Sequence, residues 1–458
     1  MPATETLTTT LDLAHIRAQF PSLSQTINGH PAVFLDGPGG TQVPQRVIEA
    51  ISGYLRRNDA NTGGAYATSR NTDAMIAGAR AAMADFLNCA ADEVIFGPNM
   101  TALTYMMSRS FGREIGVGDE ILVTRLDHDA NVSPWLALEE KGVVIRWAEI
   151  HKEDCTLDVE DLAAKLNSKT KLVAIGYASN AVGTINPVRE IVRLAHSVGA
   201  LAYVDAVHYA PHGLIDVAAL DCDFLVCSTY KFFGPHMGVL FGKREHLTRL
   251  RPYKVRPLTD AVPFRWEWGT LNHECIAGIT ACVDYLADLG RHASGTSGIQ
   301  GNSHPGSETR GDTRLGCPPS EARPSATNPN HRRASILSAF ESIHRHEHEL
   351  MKRLITGLSQ IPQLKIYGIT DPSAFHWRCP TLAVRAIHQN ENTTPLALAT
   401  KLGERGVFTW GGNYYALNLT EKLNVESSGG FLRIGLVHYN TAEEVDRLLS
   451  ALRQIVAA

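Results

Sequence analysis

Short apolar runs alternate with segments of helical spacing between residues 93 and 241. This alternation constrains the fold most, because continuous apolar strands separated by helices favour a mostly parallel sheet covered by helices. The predicted strands are Glu93–Gly97, Ile121–Arg125, Val143–Trp147, Lys171–Tyr177, Leu201–Asp205, Phe224–Cys227 and Val239–Phe241. The fold class predicted for this part of the chain is therefore α/β.

The functional residues of such a sheet are expected just beyond the carboxyl ends of the strands, where ligands of open α/β sheets bind. The polar residues at these places are His128, Asn131, Asn180, Asp205, His208, Ser228 and Lys231. We predict that they converge on one site.

Lys231 stands between two apolar strands, in Ser228-Thr-Tyr-Lys231 followed by a Gly-Pro turn. A buried lysine is costly unless its amine is neutral or covalently occupied. Lysines that form Schiff bases with aldehydes, pyridoxal phosphate (PLP) above all, occupy such places. For a lysine taken alone, a solvated head at a strand end is the commoner explanation, so the other residues must decide.

Two glycine-containing turns are further candidates for ligand contact. The segment Pro98–Thr104 opens a helix after a strand, where free amides and the helix dipole favour an anion. The turn Asp36-Gly-Pro-Gly-Gly-Thr41 lacks the Gly-Lys-Ser/Thr ending of a Walker loop. It either lets a ligand approach the backbone closely or is only a tight turn.

Composition excludes several classes of function. A net charge of −4 and a pI near 6.5 give no electrostatic footprint for nucleic acid. No apolar run approaches the length of a membrane span, and the first residues lack the apolar core of a secretory signal. We therefore expect a cytoplasmic protein.

No metal site is expected from the sequence. The eight cysteines are scattered without CxxC spacing, which is typical of reduced, mostly buried thiols. His344, His346 and His348 alternate along a predicted helix and share no face with a carboxylate pair, so a solvated face is the preferred interpretation.

Four regions are expected along the chain. Residues 1–30 form an N-terminal arm with a short helix, and residues 31–290 a large domain. Residues 291–333 are rich in Gly, Ser, Pro, Asn, Thr and Arg, which predicts a disordered low-complexity insertion. Residues 334–458 form a smaller α+β C-terminal domain, on which the N-terminal segment packs.

These motifs together resemble the fold-type I PLP enzymes of the class V aminotransferase family, and most closely the cysteine desulfurase-like group. The resemblance runs from about Phe20 to Val456, interrupted by the insertion. It implies a large PLP-binding domain with a mostly parallel sheet of the seven-stranded type. Each motif is weak alone, and their joint order and spacing carry the resemblance.

The resemblance implies a role for each residue at the strand ends. Lys231 corresponds to the Schiff-base lysine. Asp205 corresponds to the carboxylate that keeps the pyridine nitrogen protonated, which makes the ring a better electron sink. His208 and Asn180 correspond to residues near the ring hydroxyl.

The resemblance also implies the ring-stacking and phosphate-binding residues. His128, in Leu-Asp-His-Asp-Ala-Asn, corresponds to the histidine that stacks on the ring, and its unperturbed pKa suits proton relay. The phosphate is expected at Asn99, Met100 and Thr101, mainly through backbone amides, and at Ser228.

Three further residues are carried over from the family. Thr270 corresponds to a residue that reaches the cofactor of the neighbouring subunit, which implies a homodimer. Tyr230 stands where desulfurases commonly have a histidine. Arg433 corresponds to the arginine that binds the substrate α-carboxylate, a task suited to a bidentate guanidinium.

The chain departs from the desulfurases at the loop Phe408–Ala416. Desulfurases carry there a cysteine that takes sulfur as a persulfide, whereas this chain has Tyr415 at that position and no cysteine nearby. Trp410, Asn413, Tyr414 and Tyr415 either shape a side-chain pocket or form an aromatic lid.

The sequence therefore predicts a PLP-dependent enzyme that acts on a small L-amino acid and cleaves at Cβ without a persulfide cysteine. Cysteine sulfinate desulfination, C–S lysis and β-decarboxylation are the candidate reactions. Transamination or epimerisation on the same scaffold is the alternative, and a non-catalytic PLP-binding or regulatory protein is the alternative of another class. A nicotinamide dehydrogenase is disfavoured because no GxGxxG follows a first strand.

Overall fold

The fold is built around a seven-stranded sheet. The computed structural model describes residues 11–293 and 329–457. Across the sheet, the strands lie in the order Val94–Gly97, Gly238–Gly242, Phe224–Ser228, Leu201–Asp205, Thr170–Gly176, Glu120–Thr124 and Val144–Ala148. All run parallel except Gly238–Gly242, which pairs antiparallel with both of its neighbours. The predicted α/β class and mostly parallel sheet are confirmed.

The central strands are apolar because both faces of the sheet are covered. In the strand Phe224–Ser228, Leu225 and Cys227 join the core on one face, while Phe224 and Val226 join the core on the other. Successive side chains of a strand point to opposite faces, so a two-sided cover requires the unbroken apolar run seen in the sequence.

A second, four-stranded antiparallel sheet lies in the C-terminal part. Its strands follow the order Leu364–Tyr367, Thr381–Ala386, Phe431–Gly435 and Trp410–Gly412. Its core is separate from the two cores of the large sheet. The final helix begins with a capping box, in which Glu444 N–H donates to Thr441 Oγ1 and Thr441 N–H donates to Glu444 Oε2.

Short strands near the two chain ends pair with each other. Val33–Phe34 pairs in parallel with Val407–Phe408, and Thr26–Ile27 pairs with His30–Pro31 in a separate hairpin. The N-terminal segment is thereby attached to the C-terminal part, and it leads from there into the turn Asp36–Thr41.

The helices are Leu13–Ala18, Gln45–Arg57, Ala67–Leu87, Met100–Phe111, Ser133–Leu136, Val159–Lys165, Val188–Ser197, Val217–Leu220, Arg244–Arg249, His273–Ala293, Pro329–Ser359, Pro395–Glu404, Leu417–Lys422 and Ala442–Ala457. Among the described residues, none of these helices is both long and apolar enough to cross a bilayer. After Asn131 the chain forms the short helix Ser133–Leu136, followed by the 3-10 turn Ala137–Lys141. Pro134 in the first turn is compatible with a helix start and not with an interior position.

The limits predicted for the low-complexity insertion are too wide. Residues 291–293 end the helix His273–Ala293, and residues 329–333 begin the helix Pro329–Ser359. The disorder predicted for the remaining residues, 294–328, falls outside the described part of the chain. The two helices pack closely, because a Cβ on Gly290 would overlap the Ser335 carbonyl oxygen.

Candidate active site

Ten of the residues selected from the sequence line one pocket at the strand ends of the large sheet. They are Asn99, Met100, Thr101, His128, Asn180, Asp205, His208, Ser228, Tyr230 and Lys231. The pocket forms there because parallel strands place their carboxyl ends at the same edge of the sheet. Arg433, Asn413, Tyr415 and Thr270 are not among its lining residues.

Lys231 ends a single 3-10 turn that follows the fully buried strand Phe224–Ser228. Its Nζ donates to the carbonyl oxygens of Pro38 at 2.5 Å and Gly39 at 3.0 Å. Burial, together with the positive charge of Arg433, lowers the pKa of the Lys231 amine to about 7. Near neutral pH a substantial fraction of this amine is unprotonated and able to act as a nucleophile.

The glycine-rich turn is positioned against Lys231, which bears on the two interpretations left open by the sequence. Its carbonyls accept the hydrogen bonds from Lys231, and Pro38 lines the pocket. Thr41 N–H donates to the Tyr230 carbonyl at 3.1 Å. A Cβ on Gly40 would lie 3.3 Å from the Tyr230 ring. The backbone of this turn therefore lies close to Lys231 and Tyr230, and its contact with a ligand stays a prediction.

Asp205 is buried at the end of the strand Leu201–Asp205, and its Oδ1 accepts a hydrogen bond from Val207 N–H at 2.9 Å. Burial raises the pKa of its carboxyl to about 7, and the nearby Asp127 adds to this effect, while Lys231 opposes it. A buried carboxylate is stabilised in its ionised form by a cationic partner. A protonated ring nitrogen would supply that partner.

His128 accepts a hydrogen bond from Ala130 N–H through Nδ1, at 3.0 Å. Burial, with the charges of Lys231 and Arg433, lowers the pKa of its imidazole to about 4. The expectation of an unperturbed pKa for His128 is therefore wrong. The ring is neutral near pH 7, which is compatible with stacking on an aromatic cofactor and makes it a weaker base than free imidazole.

Two buried polar atoms of the pocket-lining residues lack a hydrogen-bond partner within the described chain: Asn180 Oδ1 and His208 Nε2. Asn180 Nδ2 is fixed by donation to the Tyr414 carbonyl at 2.9 Å. Buried polar groups are normally paired. Together with Lys231 and Asp205, these groups fit a polar aromatic aldehyde such as PLP.

The helix Met100–Phe111 points its first amides at the same pocket. Asn99 caps it, with Oδ1 accepting from Ala102 N–H at 2.8 Å, and Met100 N–H donates to Ser228 Oγ at 3.1 Å. A Cβ on Gly238 would overlap the Asn99 backbone, so this antiparallel strand can only pass here without a side chain. The geometry is suited to a phosphate group.

Arg433 lies on the strand Phe431–Gly435 and is buried. Its Nη1 donates to the Asn180 carbonyl at 3.0 Å, and its guanidinium carbon lies 4.1 Å from the centre of the Tyr414 ring. Nε is buried without a partner in the described chain. Burial lowers the pKa of this guanidinium to about 10, so it remains charged.

Tyr415 is 71 % exposed and does not line the pocket itself. Its ring centre lies 5.4 Å from that of His128, and its carbonyl accepts from Asp129 N–H at 2.7 Å. Tyr414 and Tyr415 both have positive φ, at 56° and 60°. The Asn413 amide is used within its own segment and by Glu426: its Nδ2 donates to Glu426 Oε1 at 2.9 Å, and its Oδ1 accepts from Tyr415 N–H at 3.0 Å.

The segment Phe408–Ala416 is not a continuous loop as the sequence analysis assumed. Phe408 ends a short strand, and Trp410–Gly412 forms the edge strand of the small sheet. Trp410 is 53 % exposed and packs against Gly39. A Cβ added to Gly39 would lie 3.2 Å from the indole.

Tyr230 and Thr270 are placed differently. Tyr230 lines the pocket, and its ring stacks on that of His236 with centres 4.7 Å apart. Thr270 is exposed and lines a separate groove with His236 and Trp266. Within one chain Thr270 therefore does not reach the pocket, and its predicted role across a homodimer interface stays a prediction.

Asp127 is a pocket-lining residue that the sequence analysis did not select. Its Oδ1 accepts from Thr124 Oγ1 at 2.8 Å and from Gly176 N–H at 2.9 Å, and its Oδ2 accepts from Asn131 Nδ2 at 2.8 Å. Burial raises the pKa of its carboxyl to about 6. Asp127 could have been identified from the sequence, because it stands directly before His128 and just past a predicted strand.

Comparison with known proteins gives the same family as the site. The sequence profile of the family described as aminotransferase class-V matches residues 33–304 and 336–448. A probable cysteine desulfurase of Synechocystis sp. is 31% identical, over 97% of this chain and 95% of that protein. A cysteine desulfurase of Pectobacterium carotovorum is 30% identical, over 97% of this chain and 98% of that protein.

Solved structures show the same fold. The apo structure of a cysteine desulfurase from Thermococcus onnurineus has a TM-score of 0.76 at 23% identity, covering 95% of this chain and 99% of that one. The cysteine desulfurase CsdA from Escherichia coli has a TM-score of 0.76 at 22% identity, with coverage of 98% and 99%. Sequence match, fold and pocket chemistry agree: the chain belongs to the class V aminotransferase family of PLP-dependent enzymes.

Proposed function

We propose that this PLP-dependent enzyme acts on a small L-amino acid and cleaves a bond at Cβ, without a cysteine of its own receiving the released group. The observation that carries this proposal is Tyr415: the resemblance implies that it occupies the cysteine position of the desulfurases, and its ring centre lies 5.4 Å from that of His128. The relatives' names support a cysteine-like substrate. Of the cysteines that the structure describes, none belongs to the lining of this pocket.

Lys231 is proposed to carry the cofactor and afterwards to move protons. PLP, when bound, supplies an electron sink that allows bonds at the substrate Cα to break. The lowered pKa of Lys231 lets its amine accept and return a proton near neutral pH. Asp205 is proposed to hold a positive charge at the ring nitrogen, and Asn180 and His208 to face the ring oxygen.

Arg433 is proposed to bind the substrate α-carboxylate. Its guanidinium is charged, buried and oriented by the Tyr414 ring and the Asn180 carbonyl, while its Nε lacks a partner in the described chain. A carboxylate would satisfy Nε and one further N–H in a bidentate pair. This arrangement fixes an amino acid by the group that all amino acids share, and it leaves discrimination to the side-chain pocket.

The proposed role of Lys231 is tested by borohydride reduction of the purified, PLP-loaded protein followed by peptide mapping. We expect a pyridoxyl group on Lys231 and none in Lys231→Ala, because the amine is the attachment point. The exposed Lys152 gives the matched control, since Lys152→Ala should keep the adduct. The same stable adduct in Lys231→Ala would contradict the assignment.

The reaction class is tested by product analysis with L-cysteine, L-cysteine sulfinate, L-aspartate and other amino acids. Alanine with sulfite, alanine with carbon dioxide, or pyruvate with ammonia and sulfide would each support cleavage at Cβ. A keto acid with pyridoxamine phosphate would show transamination, and a racemised amino acid would show epimerisation. A cofactor-loaded protein with no turnover on any of them would favour a binding or regulatory role.

A further inference from the structure

Three buried side chains with metal-binding atoms meet behind the cofactor pocket: His208, His212 and Cys379. One potential ligand atom from each lies within 4.8 Å of the others. They are 4%, 5% and 2% exposed. The histidines follow the strand Leu201–Asp205 of the large sheet, whereas Cys379 precedes the strand Thr381–Ala386 of the small sheet. The cluster therefore joins the two sheets.

The cluster contains a buried polar atom that the described chain does not satisfy. His208 Nε2 has no hydrogen-bond partner there, and the rings of His208 and His212 lie 5.4 Å apart at an angle of 70°. Buried polar groups are normally paired, and His208 has two ring nitrogens, so one can face the cofactor pocket while the other faces a bound ion.

Glu347 supports His212 from the other side. Its Oε2 lies 2.9 Å from His212 Nδ1, and both side chains are buried. With Nδ1–H donated to the carboxylate, the Nε2 of His212 is left as the acceptor. A carboxylate on the second nitrogen is the arrangement that fixes the tautomer of metal-binding histidines and raises their basicity.

We propose that His208, His212 and Cys379 form a binding site for a soft transition-metal ion of the zinc class, with Glu347 orienting His212. Two imidazoles and a thiolate are ligands that zinc prefers. In a tetrahedral site, zinc–nitrogen bonds of about 2.0 Å and a zinc–sulfur bond of about 2.3 Å hold the ligand atoms closer together than 4.8 Å, the largest separation among these three atoms. On binding, the Cys379 thiol loses its proton to solvent.

A cavity gives the ion a route to this place. It has a volume of about 650 Å³ and is lined by His212, Glu347 and Cys379, together with the stacked rings of Tyr177 and Tyr209. Water from the cavity can occupy the fourth position of a tetrahedral site. His208 has two ring nitrogens, so one remains available on the side of the cofactor pocket, which it also lines.

No metal site was expected from the sequence, because residue spacing alone does not reveal this cluster. His208 and His212 have i, i+4 spacing, but Cys379 lies far along the chain and reaches them only in the folded molecule.

The test uses the full chain without an affinity tag, freed of metal by a chelator. Zinc alone is added in equilibrium dialysis, and cobalt(II) alone serves as the spectroscopic probe. We expect one equivalent of zinc per chain and a cobalt–thiolate charge-transfer band. Cys379→Ala should abolish that band and weaken zinc binding at least about 100-fold, whereas Glu347→Gln should keep the band and weaken binding about 10- to 100-fold.

Cys222→Ala is the matched control, because Cys222 is buried and outside the cluster. It should retain both the band and the affinity. Zinc should also raise the unfolding midpoint of the wild type and not that of Cys379→Ala, since only the wild type would bind it. A wild-type cobalt spectrum without a thiolate band, or an unchanged band in Cys379→Ala, would overturn the proposal, and the first result does not depend on any variant folding.

Discussion

The two sides of the candidate active site are built differently. On the large-sheet side, Asp205 is buried and His128 is half-buried, and both receive hydrogen bonds from the turns that follow their strands. On the side of the small sheet, Tyr415 is 71 % exposed and has an unusual positive φ. Arg433 is intermediate, since it is buried yet keeps an unpartnered Nε. We infer from this difference that the large-sheet side, the rigid side, determines the cofactor chemistry. The small-sheet side, the accessible side, determines the choice of substrate.

The largest effect should come from the rigid side. Asp205→Asn removes the charge that would stabilise a protonated ring nitrogen, so we expect kcat to fall about 10³-fold, as for other preorganised electrostatic groups. Borohydride should still fix the cofactor on Lys231, because that amine is untouched. Steady-state kinetics and peptide mapping check the two statements. A kcat within a few-fold of the wild type would remove Asp205 from its proposed role.

Arg433→Ala should affect the substrate and not the cofactor. Losing a bidentate pair with a carboxylate costs about 3 kcal/mol, which corresponds to a fall of about 10²-fold in kcat/KM. Arg385 is a buried arginine of the same sheet that bonds to Gly430 and Ser428 instead. Arg385→Ala is therefore the matched control, and it should leave KM unchanged. Loss of PLP from Arg433→Ala would contradict this role, because it would show that Arg433 holds the cofactor.

The pH dependence of cofactor attachment should follow the Lys231 amine. Only the unprotonated amine reacts, and burial lowers its pKa to about 7, so the rate should rise about tenfold between pH 6 and 8 and then level off. Stopped-flow absorbance of the metal-free, cofactor-free protein mixed with PLP measures this rate. Asp36 holds the pKa of Lys231 up through its negative charge, so Asp36→Asn should shift the midpoint to lower pH. A rate still rising between pH 9 and 10 would contradict the lowered pKa.

The smallest change in rate should come from the accessible side. Tyr415→Ala removes an exposed ring whose centre lies 5.4 Å from that of His128, and we expect kcat/KM to change less than about tenfold for any one substrate. The ratio of kcat/KM between two substrates of different side-chain size should change, because the removed ring borders the place where they differ. Tyr66 is 55% exposed and does not line the pocket, so Tyr66→Ala should leave that ratio as it is. Equal ratios in both variants would exclude Tyr415 from substrate choice.

The sequence predicted the large-sheet side well, because one physical rule covers it. Parallel strands end at a common edge, so Asn180, Asp205 and Lys231 could be grouped without knowing any contact. Asp127 was missed because its importance arises from hydrogen bonds to Gly176 and Asn131 that only the folded chain creates. The depressed pKa of His128 was missed for the same reason, since burial cannot be read from its neighbours in the chain.

The small-sheet side was harder to predict from sequence. Trp410–Gly412 is a strand of three residues, two of them glycine, and it lacks the apolar alternation by which strands are identified. Pairing with Phe431–Gly435 stabilises this segment as a strand, although its own composition does not favour one. Tertiary pairing of this kind has no local signal.

The pairing of Val33–Phe34 with Val407–Phe408 has a consequence for the timing of assembly. During synthesis the strand Val33–Phe34 leaves the ribosome early, and it stays unpaired until nearly the whole chain has been made. The turn Asp36–Thr41 comes soon after that strand, and its Pro38 and Gly39 carbonyl oxygens accept hydrogen bonds from Lys231. Contacts between such distant segments form late, because closing so long a loop costs entropy before the contact is gained. The lysine thus acquires its final surroundings only when translation is almost complete, which favours loading of the cofactor onto finished chains.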